Sequence, residues 1–250
     1  LYSSAASDVY KRQGRHSARS LVERHDQLRA QVYGVAEEVA QWPQLRTADE
    51  VLAPLSPRSP ASVAAVVRGV RVPSARVPVT LAQSINSTLA DLLDEHDNLL
   101  VFGEDVAAKG GVYGVTKGLL AQAGAARVFD TLLDETSILG LALGASISGF
   151  TPIAEIQYLA YLHNAEDQLR GEAATLQFFS NGQYRNGMVV RIAGLGYQEG
   201  FGGHFHNDDS LTVLRDLPGV VLAVPSRPDD AAAVLRTLVA AAQVDGTVGV

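Results

Sequence analysis

Apolar residues change their spacing several times along the chain, and each change marks an element. Between residues 17 and 41 they fall at Leu21, Leu28, Val32, Val35 and Val39, which puts them on one face of a helix. Pro43 predicts its end, because proline lacks the amide through which a helix continues. Three prolines among small residues over 53–60 read as a linker. Beyond Pro73 and Pro78 the pattern becomes a regular alternation, and we place a domain boundary near Val77. Thr80 is a candidate cap for a helix whose buried stripe is Leu81, Ile85, Leu89, Leu92 and Leu93, and a short apolar strand over 99–102 follows, ending at Gly103. The spacing then predicts helices over 116–123, 135–148, 164–179 and 228–243, and strands over 127–130, 152–156, 188–193 and 220–224. Strands that are continuous apolar runs, separated by helices, imply an α/β fold: a doubly wound, mostly parallel sheet with helices on both faces.

Composition narrows the function. Apolar residues make up 47% and charged ones 19%, which fits a packed interior, and the net charge of −7 argues against a nucleic-acid or anionic-membrane surface. With no cysteine, disulfide scaffolds, thiolate zinc sites and cysteine nucleophiles are excluded. The longest nearly uncharged apolar stretch, 138–150, falls short of the roughly 20 residues that span a bilayer, so a soluble protein is expected, and the absence of cysteine fits a cytoplasmic one. Residues 1–13 lack periodicity and read as a non-native leader; with Leu1 first and Val250 last, the chain reads as a fragment of a longer protein, cut short at its C-terminus.

In doubly wound sheets ligands bind beyond the carboxyl ends of the strands, so the loops there carry the candidate chemistry. Gly103, Gly110, Gly111, Gly114 and Gly118 crowd one loop, and Gly194, Gly196, Gly200, Gly202 and Gly203 another, a density that predicts close backbone approach or positive φ. Neither loop has the spacing of a P-loop or of the dinucleotide fingerprint. Asp134 and Glu135 stand where a strand gives way to an apolar helix. Negative charge is favourable at a helix start, and a carboxyl desolvated there is also suited to sharing a proton with a ligand. His204, His206, Asp208 and Asp209 lie together in the second loop, as proton-transfer groups, metal ligands or a solvated turn. His25, His96 and His163 have no such company in the sequence and read as surface or structural residues.

Four segments in order carry a resemblance that spans 78–250: GEDVAAKGGVYGVTKGL from Gly103, FDTLLDE ending at Glu135, GFTPIAEIQYLAY from Gly149 to Tyr161, and DLPGVVLAVPSRPDDA from Asp216 to Ala231. Together they resemble the pyrimidine-binding, beta-type part of the thiamine diphosphate-dependent 2-oxo acid dehydrogenases, within the transketolase-like superfamily. The resemblance implies the thiamine diphosphate-binding fold, pyrimidine domain, over 77–250, preceded over 14–76 by the helical tail of another domain and a Pro-rich linker. It implies that Glu135 hydrogen-bonds a ring nitrogen of the cofactor's aminopyrimidine, favouring the imino tautomer that removes the thiazolium proton. Leu132 and Leu133 would flank that ring, Tyr161 would stack on it, and Gln157 and Tyr158 would line the same pocket. His206 matches the histidine that assists acyl transfer, with His204 as a second candidate. The sequence departs from the commonest motif at Asn207, where the family usually has serine.

The family's Gly-Asp-Gly motif for the diphosphate and its magnesium does not occur in this chain. Mg2+ would therefore be bound mainly by a second domain or an alpha-type chain, and the active site would form between the two in an obligate oligomer. The implied activity is oxidative decarboxylation of pyruvate or a branched-chain 2-oxo acid, with acyl transfer to a lipoyl acyltransferase component. The alternatives are a transketolase-like ketol transfer, a non-catalytic assembly subunit, and a metal hydrolase built on His204, His206 and Asp208.

Overall fold

A computed structural model of the chain describes residues 12–14, 16–55, 59–70, 79–196 and 202–250. The chain divides into two compact units, Leu1–Ala48 and Asp49–Val250. The leader expected over 1–13 lies outside the described residues except for 12 and 13, as does the boundary expected near Val77. In the first unit helix α1, Ala18–Val39, is entered through Ser17, whose hydroxyl accepts from the Ser20 N–H. Its apolar stripe follows the sequence pattern, yet Leu28, Val32, Val35 and Val39 are exposed.

The second unit contains a helix that the sequence did not announce. Helix α2, Pro60–Gly69, starts inside the stretch read as a linker. Pro60 sits in its first turn, where a missing amide breaks no hydrogen bond. Val63 and Val67, one turn apart, are half-buried, and the helix packs on the last helix of the chain. Helix α3, Leu81–Glu95, begins at a reciprocal cap, with Gln83 N–H donating to Thr80 Oγ1 and Thr80 N–H to Gln83 Oε1.

Six strands form one parallel sheet: β1 Leu99–Gly103, β2 Val128–Asp130, β3 Thr151–Ile156, β4 Met188–Ile192, β5 Val220–Val221 and β6 Val248–Gly249, in the order β2-β1-β3-β4-β6-β5. Helix α4, Glu135–Ile147, joins β2 to β3, and helix α5, Pro228–Asp245, joins β5 to β6. Leu99, Val101, Ile153 and Val189 pack with Leu89 and Leu92 of α3 and Leu235 and Val239 of α5. Their neighbours Leu100, Phe102, Ala154, Ile156 and Val190 pack on the other face with Ile138, Leu139 and Ala142 of α4. Both faces are covered, which is why the strands read as unbroken apolar runs; Glu155 of β3 is the fully buried charged exception. The strand order reverses at β1, whose neighbours β2 and β3 lie on opposite sides, so the crevice beyond β1 and β3 is the topological switch point.

The expected helix over 164–179 is interrupted. A 3-10 turn at His163–Ala165 is followed by a π-helical turn at Gln168–Ala173, where Ala174 N–H reaches back to Leu169 O, and by a short α-helix at Leu176–Phe179. A π turn shifts the carbonyls out of register. The Asn186 side chain, fully buried, answers by donating to Ala173 O at 2.7 Å. Asn186→Ala strips that buried carbonyl of its partner, and we expect it to lower unfolding free energy by about 1–3 kcal/mol in urea denaturation. The strand expected over 220–224 shortens to β5, and β6 was not expected.

Candidate active site

The loop beyond β1 folds over the end of β3. At Gly111, φ is +69°, and a Cβ there would lie 2.7 Å from Thr116 Oγ1 and 3.3 Å from Glu155 Oε1, so only glycine lets the loop approach so closely. Thr116 Oγ1 donates to Val106 O at 2.6 Å and closes the loop. Tyr113, a non-glycine residue at φ +58°, is held in the left-handed region between these glycines, and its ring meets Tyr158 edge-on at 6.4 Å. Beneath the loop Arg191 Nε donates to Glu155 Oε2 at 3.1 Å, between paired positions of β3 and β4.

Beyond β2 the chain turns through residues 131–134, anchored where Ala107 N–H donates to Asp130 Oδ1 at 2.7 Å. Glu135 then opens α4 with its side chain buried, while Leu132 and Leu133 before it are 79% and 73% exposed. Asn164 Nδ2 donates to Glu135 Oε2 at 3.4 Å. Glu104, at the end of β1, titrates above the usual glutamate range, chiefly because it is desolvated and further because Asp105 and Glu135 repel its charge. Gln157 Nε2 donates to Glu104 O at 3.4 Å, tying the ends of β1 and β3. A buried carboxyl at a helix start, preceded in the chain by two exposed leucines, is placed to share a proton with a ligand that reaches it.

The third group is aromatic. Tyr158, Tyr161 and His206 meet edge to face, with ring centroids 4.4–6.0 Å apart. Burial pushes the Tyr158 hydroxyl up to about 12, with a further rise from its bond to Tyr113, so it stays protonated. His206 Nδ1 lies 3.1 Å from Gly202 O, which can only accept, so Nδ1 carries the proton in the neutral ring. Nε2 is then the acceptor for the Tyr161 hydroxyl at 3.3 Å. This places the basic nitrogen of His206 inward, against Tyr161.

The three side chains considered for a metal do not converge. His204 is exposed and lies on the Phe205 ring at 4.0 Å, His206 faces Tyr161, and Asp208 faces His163 and Ser210. Among the described residues no three His, Asp or Glu side chains gather to hold an ion. His163 is not solitary, as its surroundings in the sequence suggest: the fold brings it to Asp208, 45 positions later. A cavity of about 680 Å³ runs beside β4 and β5, walled mostly by apolar side chains such as Ile192, Leu214, Leu222 and Leu235. Tyr113, Tyr158 and His206 contribute to its lining, and Glu135 does not.

The sequence reading missed Glu104, Tyr113, His163 and Asn164. Tyr113 alone carried a signal, as the one aromatic residue inside a glycine-rich loop.

Residues 77–248 match the pyrimidine-binding domain of transketolase. The chain is 38% identical over 162 residues to the pyruvate dehydrogenase E1 component subunit beta of Staphylococcus epidermidis, and 37% identical to that of Bacillus subtilis, each match covering 63% of this chain and 48% of the relative. It thus spans about half the length of the curated relatives it matches. A solved structure titled "Split gene transketolase, inactive beta4 tetramer" superposes with a TM-score of 0.52 at 18% identity, covering 69% of this chain and 51% of that one, which is a likeness of fold. No helix among the described residues is long and apolar enough to cross a membrane.

Proposed function

Because this chain belongs to the family of transketolase pyrimidine-binding domains, we propose that it supplies the pyrimidine-binding half of a thiamine diphosphate-dependent enzyme that decarboxylates a 2-oxo acid and passes the acyl group to a lipoyl carrier. The observation that carries this reading is Glu135 at the head of α4, buried, with exposed Leu132 and Leu133 before it. The names of the relatives, subunits of pyruvate dehydrogenase, support the 2-oxo acid branch over ketol transfer. An alpha-type domain or chain would hold the diphosphate and most of the Mg2+ coordination, which makes the enzyme an obligate oligomer.

When bound, the cofactor supplies a carbon nucleophile and then an electron sink at its thiazolium ring. Glu135 would hold the aminopyrimidine through a ring nitrogen, and its burial keeps water from competing for that bond. Leu132 and Leu133 would cover the ring, Tyr161 would stack near it, and Gln157 and Tyr158 would close the pocket beyond β3. His206, with Nε2 aimed inward, would carry a proton during transfer of the acyl group. The lipoyl acyltransferase component would bind against the same mouth.

The test offers the enzyme assembled with its diphosphate-binding partner pyruvate, 3-methyl-2-oxobutanoate or 2-oxoglutarate, each with thiamine diphosphate and Mg2+, and follows reduction of an artificial electron acceptor. Turnover with one of the acids is expected. Absence of cofactor-dependent turnover with all three sinks the reading, and turnover only with a ketose phosphate donor replaces it with ketol transfer.

A further inference from the structure

Of two consecutive residues, His163 reaches the loop that carries His206 and Asn164 reaches Glu135. Nδ1 of His163 lies 2.5 Å from Glu166 Oε1 and Nε2 lies 3.1 Å from Asp208 Oδ2. A carboxylate only accepts, and a neutral imidazole has one N–H, so both contacts together require the imidazolium. His163 is therefore a fixed cation in this arrangement and not a base.

Asp208 is tied into the loop that carries His206. Its Oδ1 accepts from the N–H of Ser210 at 3.0 Å and from the hydroxyl of Ser210 at 2.5 Å, and its carbonyl accepts from Leu195 N–H at 3.4 Å. It stands two residues beyond His206, so the His163 bond fastens that loop to the helical segment after β3. Asn164 points elsewhere, because successive residues of a helical turn are rotated by about 100°. Its Nδ2 donates to Glu135 Oε2 at 3.4 Å and its carbonyl accepts from the Thr136 hydroxyl at 3.0 Å, so it grips the first turn of α4 twice.

Resting on the function proposed above, we infer that His163 and Asn164 are positioning residues, His163 holding the His206 loop through Asp208 and Asn164 holding the Glu135 carboxyl. One short segment then sets the geometry of both groups, the carboxyl that the whole reaction needs and the histidine that acyl transfer needs. The His163 side chain is 41% exposed, and a half-exposed ion pair adds little to stability. The signature belongs in function.

It also belongs in pH dependence. The charged groups facing His163 are Glu166 and Asp208, and the bond to Glu166 first, then that to Asp208, holds its titration above the ordinary histidine value against the opposing effect of burial. Asp208 is held below the usual carboxylate range, first by Ser210 and then by His163. A raised imidazole pKa means that both bonds persist below that value and that one is lost as pH rises through it. Deprotonation of His163 therefore loosens its hold on one of the two carboxylates.

The test compares wild type, His163→Gln, Asp208→Asn and Asn164→Ala in the assembled enzyme, by histidine-resolved NMR titration and by the two half-reactions. In wild type His163 should titrate above the ordinary histidine range. Asp208→Asn should bring that midpoint down and move the His206 imidazole resonance. His163→Gln and Asp208→Asn should slow lipoyl acyl transfer on the order of 10-fold while artificial-acceptor reduction stays within about twofold, and Asn164→Ala, which loosens the carboxyl that both rates need, should slow the two together. A His163 midpoint at the ordinary value, a His206 resonance unmoved in Asp208→Asn, a parallel fall of both rates in His163→Gln or Asp208→Asn, or unchanged rates in Asn164→Ala overturns the inference. Wild-type enzyme without cofactor-dependent turnover overturns the functional reading instead, and the NMR comparison still decides whether His163 holds the loop.

Discussion

Glu135→Gln should reduce thiamine diphosphate-dependent turnover by about 10²–10⁴, the range lost when a positioned proton-transferring group is removed. The substitution keeps the size of the side chain and an oxygen that accepts from Asn164 Nδ2, so the pocket retains its shape. What disappears is the group that shares a proton with a ring nitrogen. The cost to the fold is small: Glu135 is the acidic residue in the first turn of α4, and its charge there contributes roughly 0.3–1 kcal/mol through the helix dipole. Asp134 remains beside it, bonded to the Ser137 hydroxyl. Artificial-acceptor turnover measured with the circular dichroism spectrum of the same preparation separates the two effects. Turnover retained near the wild-type rate, with the fold intact, would instead assign the chain an assembly role without catalysis.

The second large effect is on stability. Arg191→Met leaves Glu155 buried without its counter-charge, and breaking a buried pair from one side costs about 3–5 kcal/mol. Glu155 is 1% exposed and its Oε1 has no hydrogen-bond partner among the described residues, so nothing nearby can take over the charge. In a domain of this size the loss corresponds to a fall in Tm of roughly 10 °C. Glu155→Met combined with Arg191→Met removes both charges and should recover most of the loss, because two apolar side chains need no desolvation offset. Thermal denaturation of the three proteins decides it; a double variant as unstable as the single one would locate the damage in packing and not in charge. The pair lies directly under the loop that carries Tyr113, 3.3 Å from where a Cβ on Gly111 would sit, so the single variant should also disorder one wall of the site.

The pattern of apolar positions alone determined that the chain builds a parallel sheet covered on both faces. A strand buried on two sides has no place for a polar residue, and a helix lying on a sheet must repeat its apolar face every three or four positions; both constraints are written residue by residue. The same local logic placed Glu135 at a helix start and the glycines of 103–118 in a tight loop, since a carboxyl beside a helix N-terminus and a run of positive φ are consequences of neighbours in sequence. It failed where a residue answers to a distant one. Pro60 reads as linker until its helix is seen against α5, and the break at Gln168–Ala173 makes sense only with Asn186 on its carbonyl. His163 looked solitary because its partner Asp208 lies on another loop, and Asn164 gave no sign of reaching Glu135. Periodicity reports which side of an element is buried, and strand order decides which loops then face one another. With β1 between β2 and β3, the turn before α4 and the segment after β3 open on the same end of the sheet. That ordering, a property of the assembled sheet, is what makes neighbours of Glu135, Asn164 and the His206 loop.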